Sequence, residues 1–302
     1  METVRHTRNA TKEELTHLGI DRLKESLRNG CTFLEAKSGY GLSTSEELRL
    51  LEVQDYLNDL PNLPSIHSTW MGAHAVTKDR TYEDYTQEIL SEQLPSVLES
   101  GLAHSADVFC EPGWFTLEQS EEILRESRKG GLALRMHIDE FTDGGGGSLA
   151  SELKVVTADH AHHTPLDTRL EMMENGVMTG FLPGTPYSNG DDWPDFNEVS
   201  SHGIDYTIAT DFNPNCYINN LPFIGSLLVQ RNGVHPYEAL VSMTRNSAKT
   251  TPRSDGLVQG RIEIGAVANF NILKSKHWES WCMMPGSTPV QSICLEGEHI
   301  EL

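Results

Sequence analysis

Leu132-Ala-Leu-Arg-Met-His-Ile-Asp-Glu140 sets the pattern of this chain. A short apolar run, Leu132–Met136, stops abruptly in His137-Ile-Asp-Glu140, and a helix-like stretch, Leu117–Lys129, precedes it. The same order recurs outward in both directions. Apolar runs stand at Thr32–Ala36, Ser65–Gly72, Asp107–Cys110, Leu153–Ala158, Gly176–Leu182 and Asp205–Ala209. Amphipathic stretches such as Ser45–Leu57 separate several of them, at the spacing of βα units in a parallel sheet. The runs end in Lys37-Ser-Gly-Tyr40, Ala73-His74, Glu111-Pro-Gly113, Asp159-His160, Pro183-Gly-Thr185 and Asp211-Phe-Asn213. Ionisable and polar groups at the C-terminal end of nearly every strand favour a (β/α)8 TIM-type barrel, whose active site is built on that face. A doubly wound sheet concentrates its ligands at one switch point instead.

Seven strands are predicted where a closed barrel has eight. Only Lys12–Arg28 reads as a helix before the first run, so the chain is expected to enter the barrel after its first strand. Residues 1–259 are assigned to the barrel. Residues 260–302 carry short strands without helices, Arg261–Leu273 and Val290–Leu295, and are assigned to a small β appendage.

The 302 residues hold 44 acidic and 23 basic side chains, a formal charge of −21. Such a surface repels phosphate backbones and argues against a nucleic-acid partner. No apolar run approaches the roughly 20 residues of a membrane helix, and Met1–Lys12 is polar, unlike a secretory signal. Five unpaired-looking cysteines without a Cys-x-x-Cys fit reduced thiols. The expected location is the cytoplasm. No Walker loop, Rossmann glycine pattern or Gly-x-Ser-x-Gly elbow is present.

His137 and Glu140 could supply a metal-binding imidazole and a proton-transferring carboxylate three residues on; the same spacing also occurs in surface pairs. His160 reads as a metal ligand, an orienter of water or a structural histidine. Asp211 reads as a metal ligand that shares the water's proton, or as a helix N-cap. Tyr40, His74 and Asn213 are neutral groups suited to a polar heterocycle. Lys37 could be a carboxylated bridge between two metals, a cation for a carboxylate, or a local packing group; the pattern elsewhere looks mononuclear. Glu111 stands between support and scaffold. His162 and His163 lie beyond the strand end and read as exposed loop.

Glu35-Ala-Lys-Ser-Gly-Tyr-Gly-Leu42, Met71-Gly-Ala-His-Ala-Val76, Asp107-Val-Phe-Cys-Glu111, His137-Ile-Asp-Glu-Phe141, Ala158-Asp-His160, Leu182-Pro-Gly-Thr185 and Ala209-Thr-Asp-Phe-Asn-Pro214 together resemble the imidazolonepropionase family of metal-dependent amidohydrolases. The resemblance covers essentially the whole chain. It implies hydrolysis of the ring amide of 4-imidazolone-5-propanoate to N-formimidoyl-L-glutamate, with one zinc or iron ion held by His137 and Asp211. It also implies proton transfer by Glu140 with help from His160, substrate contacts from Tyr40, His74, Glu140 and Asn213, and a possible homodimer. The family's His-x-His and the arginine after it have no counterpart here. Asn215 and Cys216 stand where the family usually has Gly and then Ser or Thr, at the substrate loop, and Asn269 replaces a common Asp. A heterocycle deaminase on the same barrel and a non-catalytic remnant are the alternative readings.

Overall fold

The computed structural model describes residues 1–302. Seven strands follow one another in chain order through a single sheet: β1 (Phe33–Lys37), β2 (Ser65–Ala73), β3 (Ser105–Cys110), β4 (Ala133–Ile138), β5 (Thr157–His160), β6 (Met178–Phe181) and β7 (Tyr206–Ile208). The β2–β3, β3–β4 and β4–β5 pairs are parallel. Eight helices alternate with the earlier strands: α1 (Glu2–Asn9), α2 (Lys12–Arg28), α3 (Thr44–Asn58), α4 (Tyr82–Glu88), α5 (Leu94–Ser100), α6 (Leu117–Lys129), α7 (Gly146–Leu153) and α8 (Leu166–Glu174). The predicted βα rhythm and its seven strands are those observed. No helix is long and apolar enough to cross a membrane.

Local sequence explains the sharp element ends. Thr116 opens α6 with a capping box: its hydroxyl accepts from the Gln119 amide at 3.2 Å, and the Gln119 side chain accepts from the Thr116 amide at 3.1 Å. Arg128 and Lys129 close the same helix, where cations suit its dipole. One run differs from expectation. Leu153–Ala158 is not one strand: Leu153 ends α7, Lys154 turns left-handed with φ 48°, and β5 begins only at Thr157. Buried helix and buried strand are both apolar here, so hydropathy alone runs across the boundary.

The chain divides into two compact units. The first comprises 1–19, 35–59 and 66–179; the second comprises 20–34, 60–65 and 180–302. In the first, Leu51, Ile89, Phe115, Ile123, Leu124 and Met136 are fully buried in one continuous core. Each such side chain contributes about 1.5–3 kcal/mol by leaving water. In the second, β8 (Phe270–Leu273), β9 (Val290–Leu295) and β10 (Glu298–Glu301) form an antiparallel sheet in the order β10-β9-β8. Val290, Ile293 and Leu295 of β9 pack on Leu27.

Candidate active site

The first unit carries a row of charged side chains inside its sheet, and strand register puts them there. Asp107 pairs across with Arg135, Phe109 with His137, and His137 with Asp159. Residues two apart share a face of a strand, so Glu35 and Lys37 of β1, Asp107 of β3, Arg135 and His137 of β4, and Asp159 of β5 can meet. Lys37 Nζ lies 3.2 Å from Glu35, 2.5 Å from Asp107 and 3.2 Å from Asp159. Arg135 Nε lies 3.0 Å from Glu35. Thr69 and Thr157 donate hydroxyls to Glu35 and Asp159, each at 2.5 Å. Burying a charge is costly unless it is paired and hydrogen-bonded, and here each acid has a cation and a further donor.

His137 joins this row through Nδ1, 2.9 Å from Asp107 Oδ1. A carboxylate behind an imidazole holds the proton on Nδ1 and turns Nε2 toward a metal, as supporting carboxylates do for metal-bound histidines. Burial by itself disfavours the imidazolium, yet Asp107 outweighs it and His137 is raised above its ordinary value. Burial likewise pushes the Asp107 carboxyl up, but His137 and Lys37 hold it down at about 2.

His137 stabilises the metal-free protein through this pair because its folded pKa exceeds the unfolded one. The contribution is therefore complete below about pH 6.5 and is lost as pH rises through the folded pKa. In metal-stripped protein with labelled histidines, the His137 ring signal, assigned by its disappearance in His137→Gln, should titrate with a midpoint above 6.5. A midpoint below the ordinary histidine value would contradict this account of the pair.

Asp107, His137 and Asp159 offer ligand atoms that all lie within 4.8 Å of one another. Lys37 already stands between the two aspartates, so their charge is met by an ammonium. Burial lowers the Lys37 pKa, but Asp107, Glu35 and Asp159 reverse this and drive it upward. Carboxylation of a lysine needs its neutral amine, so this environment opposes the bridging form. With Nδ1 committed to Asp107, Nε2 is the ring nitrogen of His137 whose chemistry suits an ion.

Along the C-terminal ends of the strands, His160 sits with its ring centroid 5.3 Å from that of His137. Its Nε2 is 3.5 Å from Glu140 Oε2. His160 adopts φ 65° and Asp139 φ 48°, left-handed turns that end β5 and β4 at these residues. On β2, His74 Nδ1 lies 2.7 Å from the Gly39 carbonyl, which can only accept, so Nδ1 carries the proton. The Tyr40 ring meets His74 edge to face at 5.0 Å. Phe109 bridges the two groups, 6.1 Å from His74 and 5.9 Å from His137. Five sequence-predicted residues, Tyr40, His74, His137, Glu140 and His160, thus fall in the first unit on linked contacts. His163 is exposed and His162 half-buried.

The second unit holds the others. Asp211, at φ 53°, accepts a hydrogen bond from the Thr185 hydroxyl. Asn213 Nδ2 donates to the Asp211 carbonyl at 2.8 Å, and Asn213 Oδ1 accepts from the amides of Asn215 at 2.8 Å and Cys216 at 3.2 Å. The Asn213 amide therefore shapes its own turn. Asn215 is exposed and its φ is not positive, so the turn accepts its side chain without strain. Cys216 is buried, with Ser188 donating to its sulfur at 3.7 Å.

Sequence reading missed Asp107, Asp159, Glu35 and Arg135 as partners of Lys37 and His137. The signal was available: a charge inside an apolar strand of a parallel sheet must find a partner. What the sequence did not show was which charges met.

No family model matches the chain. Among curated proteins, it is 34% identical over 297 residues to the imidazolonepropionase of Haloarcula marismortui, covering 98% of this chain and 70% of that protein. It is 36% identical over 279 residues to the imidazolonepropionase of Alkaliphilus metalliredigens, covering 91% and 65%. The chain thus spans about two thirds of the length of the curated relatives it matches. Among solved structures, an amidohydrolase superposes with a TM-score of 0.73 at 14% identity, over 99% of this chain and 82% of that one. A zinc-bound adenosine deaminase from Xanthomonas campestris gives 0.70 at 14% identity, over 97% and 71%. These two likenesses establish the amidohydrolase barrel fold.

Proposed function

The chain belongs to the imidazolonepropionase family, and on that premise we propose that it opens the ring of 4-imidazolone-5-propanoate by hydrolysis, giving N-formimidoyl-L-glutamate. The observation that carries this reading is Glu140 Oε2 at 3.5 Å from His160 Nε2, beside an imidazole backed by Asp107. A carboxylate next to a histidine can move protons, and the carboxylate-backed imidazole can anchor an ion.

His137, backed by Asp107, would be a ligand to one zinc or iron ion. Bound there, the ion would polarise the ring carbonyl and make water a better nucleophile at neutral pH. The remaining work falls to side chains. Glu140 takes a proton from the attacking water as its oxygen bonds to the ring carbonyl carbon. It then gives that proton to the ring nitrogen as the carbon–nitrogen bond breaks, so one carboxylate serves as base and then as acid. His160 holds the Glu140 carboxylate in place and donates toward the developing oxyanion. Tyr40 and His74, joined edge to face, bind the planar ring and its propionate.

The zinc-bound deaminase neighbour keeps one rival in view, since the same barrel fold also serves ammonia release. Purified protein loaded separately with zinc and iron should consume imidazolone propionate, followed by loss of its absorbance, and should release no ammonia from adenine or guanine. Ammonia release with inert imidazolone would establish the rival. Inertness toward both would leave the ring-opening reading without support.

A further inference from the structure

We propose that Glu47 and Glu111 are positioning residues: each buried carboxylate gathers three backbone amides of one loop, Glu47 the loop bearing Tyr40 and Glu111 the loop bearing Glu140. Glu47 is fully buried in the first turns of α3. Its Oε2 accepts from the Gly39 amide at 2.8 Å, and its Oε1 accepts from Gly41 at 2.7 Å and Leu42 at 2.8 Å. Glu111 follows β3 and is 3% exposed. Its Oε2 accepts from the Glu140 amide at 3.1 Å, and its Oε1 accepts from Phe141 at 3.1 Å and Thr142 at 3.0 Å. The two acids lie 64 positions apart in sequence, numbered 47 and 111, and clamp different loops with the same motif.

The backbone is shaped to receive them. Gly39 has φ 98°, and a Cβ on it would come within 3.1 Å of His74 Nδ1; a Cβ on Gly41 would stand 2.7 Å from the Glu47 amide nitrogen. Both glycines let the loop curl its N–H groups onto one carboxylate, the geometry of an anion-binding nest. Hydrogen bonds to a carboxylate are about twice as strong as neutral ones, and here they restrain residues that a free loop would leave mobile. The effect passes onward on the Glu47 side. The pinned Gly39 presents its carbonyl to His74 Nδ1, and Tyr40 packs against that ring. On the Glu111 side, the restrained amide belongs to Glu140 itself, so its side chain leaves the backbone at a set place facing His160.

Glutamine is isosteric but presents an NH2 to at least one backbone N–H, so Glu47→Gln and Glu111→Gln test the two clamps separately. Amide hydrogen exchange on the 302-residue chain is the primary measurement. In unmodified protein, the amides of residues 39, 41, 42 and 140–142 should be protected although they lie in loops. Glu47→Gln should speed exchange about tenfold at 39, 41 and 42 and leave 140–142 unchanged; Glu111→Gln should do the converse. If the unmodified loops exchange as fast as the exposed Gly286 loop, the proposal falls without recourse to any variant. Exchange that rises equally across the sheet in either variant also overturns it. The kinetic consequence rests on the ring-opening reading: Glu47→Gln should act mainly on KM and Glu111→Gln mainly on kcat, each about tenfold, with metal content unaltered. Equal changes in both constants for both variants would count against positioning. A protein that exchanges as expected but opens no imidazolone would sink that reading and leave the two clamps standing.

Discussion

Glu140→Gln should reduce ring opening by about 10²–10⁴-fold, the usual contribution of a general acid–base group, while metal content stays at the wild-type level. The loss should appear in kcat, because the amide retains the size and some of the hydrogen bonding of the carboxylate but cannot carry a proton from water to the ring nitrogen. The substitution leaves the Glu140 backbone amide and its bond to Glu111 intact, so the loop keeps its anchor. His137→Ala provides the contrast. It removes the imidazole that Asp107 orients, and metal and activity should disappear together. Turnover by Glu140→Gln within a factor of a few of wild type would remove Glu140 from the proton path. Loss of metal in Glu140→Gln would make it a ligand instead.

Replacing Lys37 by methionine should cost about 3–5 kcal/mol at pH 7.5, the range for breaking a buried ion pair by removing one partner. Lys37 faces Glu35, Asp107 and Asp159 together, and Asp107 is completely buried. Methionine fills much of the volume and leaves three carboxylates with Arg135 as the nearby permanent cation and the His137 ring beside Asp107. The pH dependence follows from Asp107, whose carboxyl is held down at about 2 by His137 and Lys37 against the opposing effect of burial. A depressed carboxylate contributes stability that is complete above its unfolded value of about 3.9 and disappears as pH falls through the folded one. The gap between wild type and Lys37→Met should therefore be wide at pH 7.5 and narrow between about pH 4 and 2. Urea denaturation at a series of pH values measures it. A variant within 1 kcal/mol of wild type at pH 7.5 would mean that water screens these charges and that Lys37 is not their counter-ion.

The periodic order of the chain was legible in its residues. A mostly apolar run of four to eight residues that ends in polar ones, followed by an amphipathic stretch, leaves the backbone few choices but a buried parallel strand and a covering helix. The polar tails share one end of the sheet for the same reason: at a strand's C-terminal end the chain leaves the apolar core, and ionisable groups find partners there. Tyr40, His74, His137, Glu140 and His160 were singled out this way, and contacts through Phe109 link them. Leu153–Ala158 shows the limit, because one apolar stretch contains the end of a helix and the start of a strand.

Tertiary structure decided what the charges inside the strands do. Glu35, Lys37, Asp107, Arg135 and Asp159 each interrupt or border an apolar run, and period two gives the face each occupies. Only register across β3, β4 and β5 brings Asp107 level with Arg135 and His137 level with Asp159. Glu47 and Glu111 were hidden for a related reason. Their partners are backbone amides, which every residue possesses, so no side-chain pattern announces them. The sequence determined which groups were available and which end of the sheet they would reach. The three-dimensional path of the loops decided which of them hold others still, because a carboxylate can collect three amides only where the chain turns back on it.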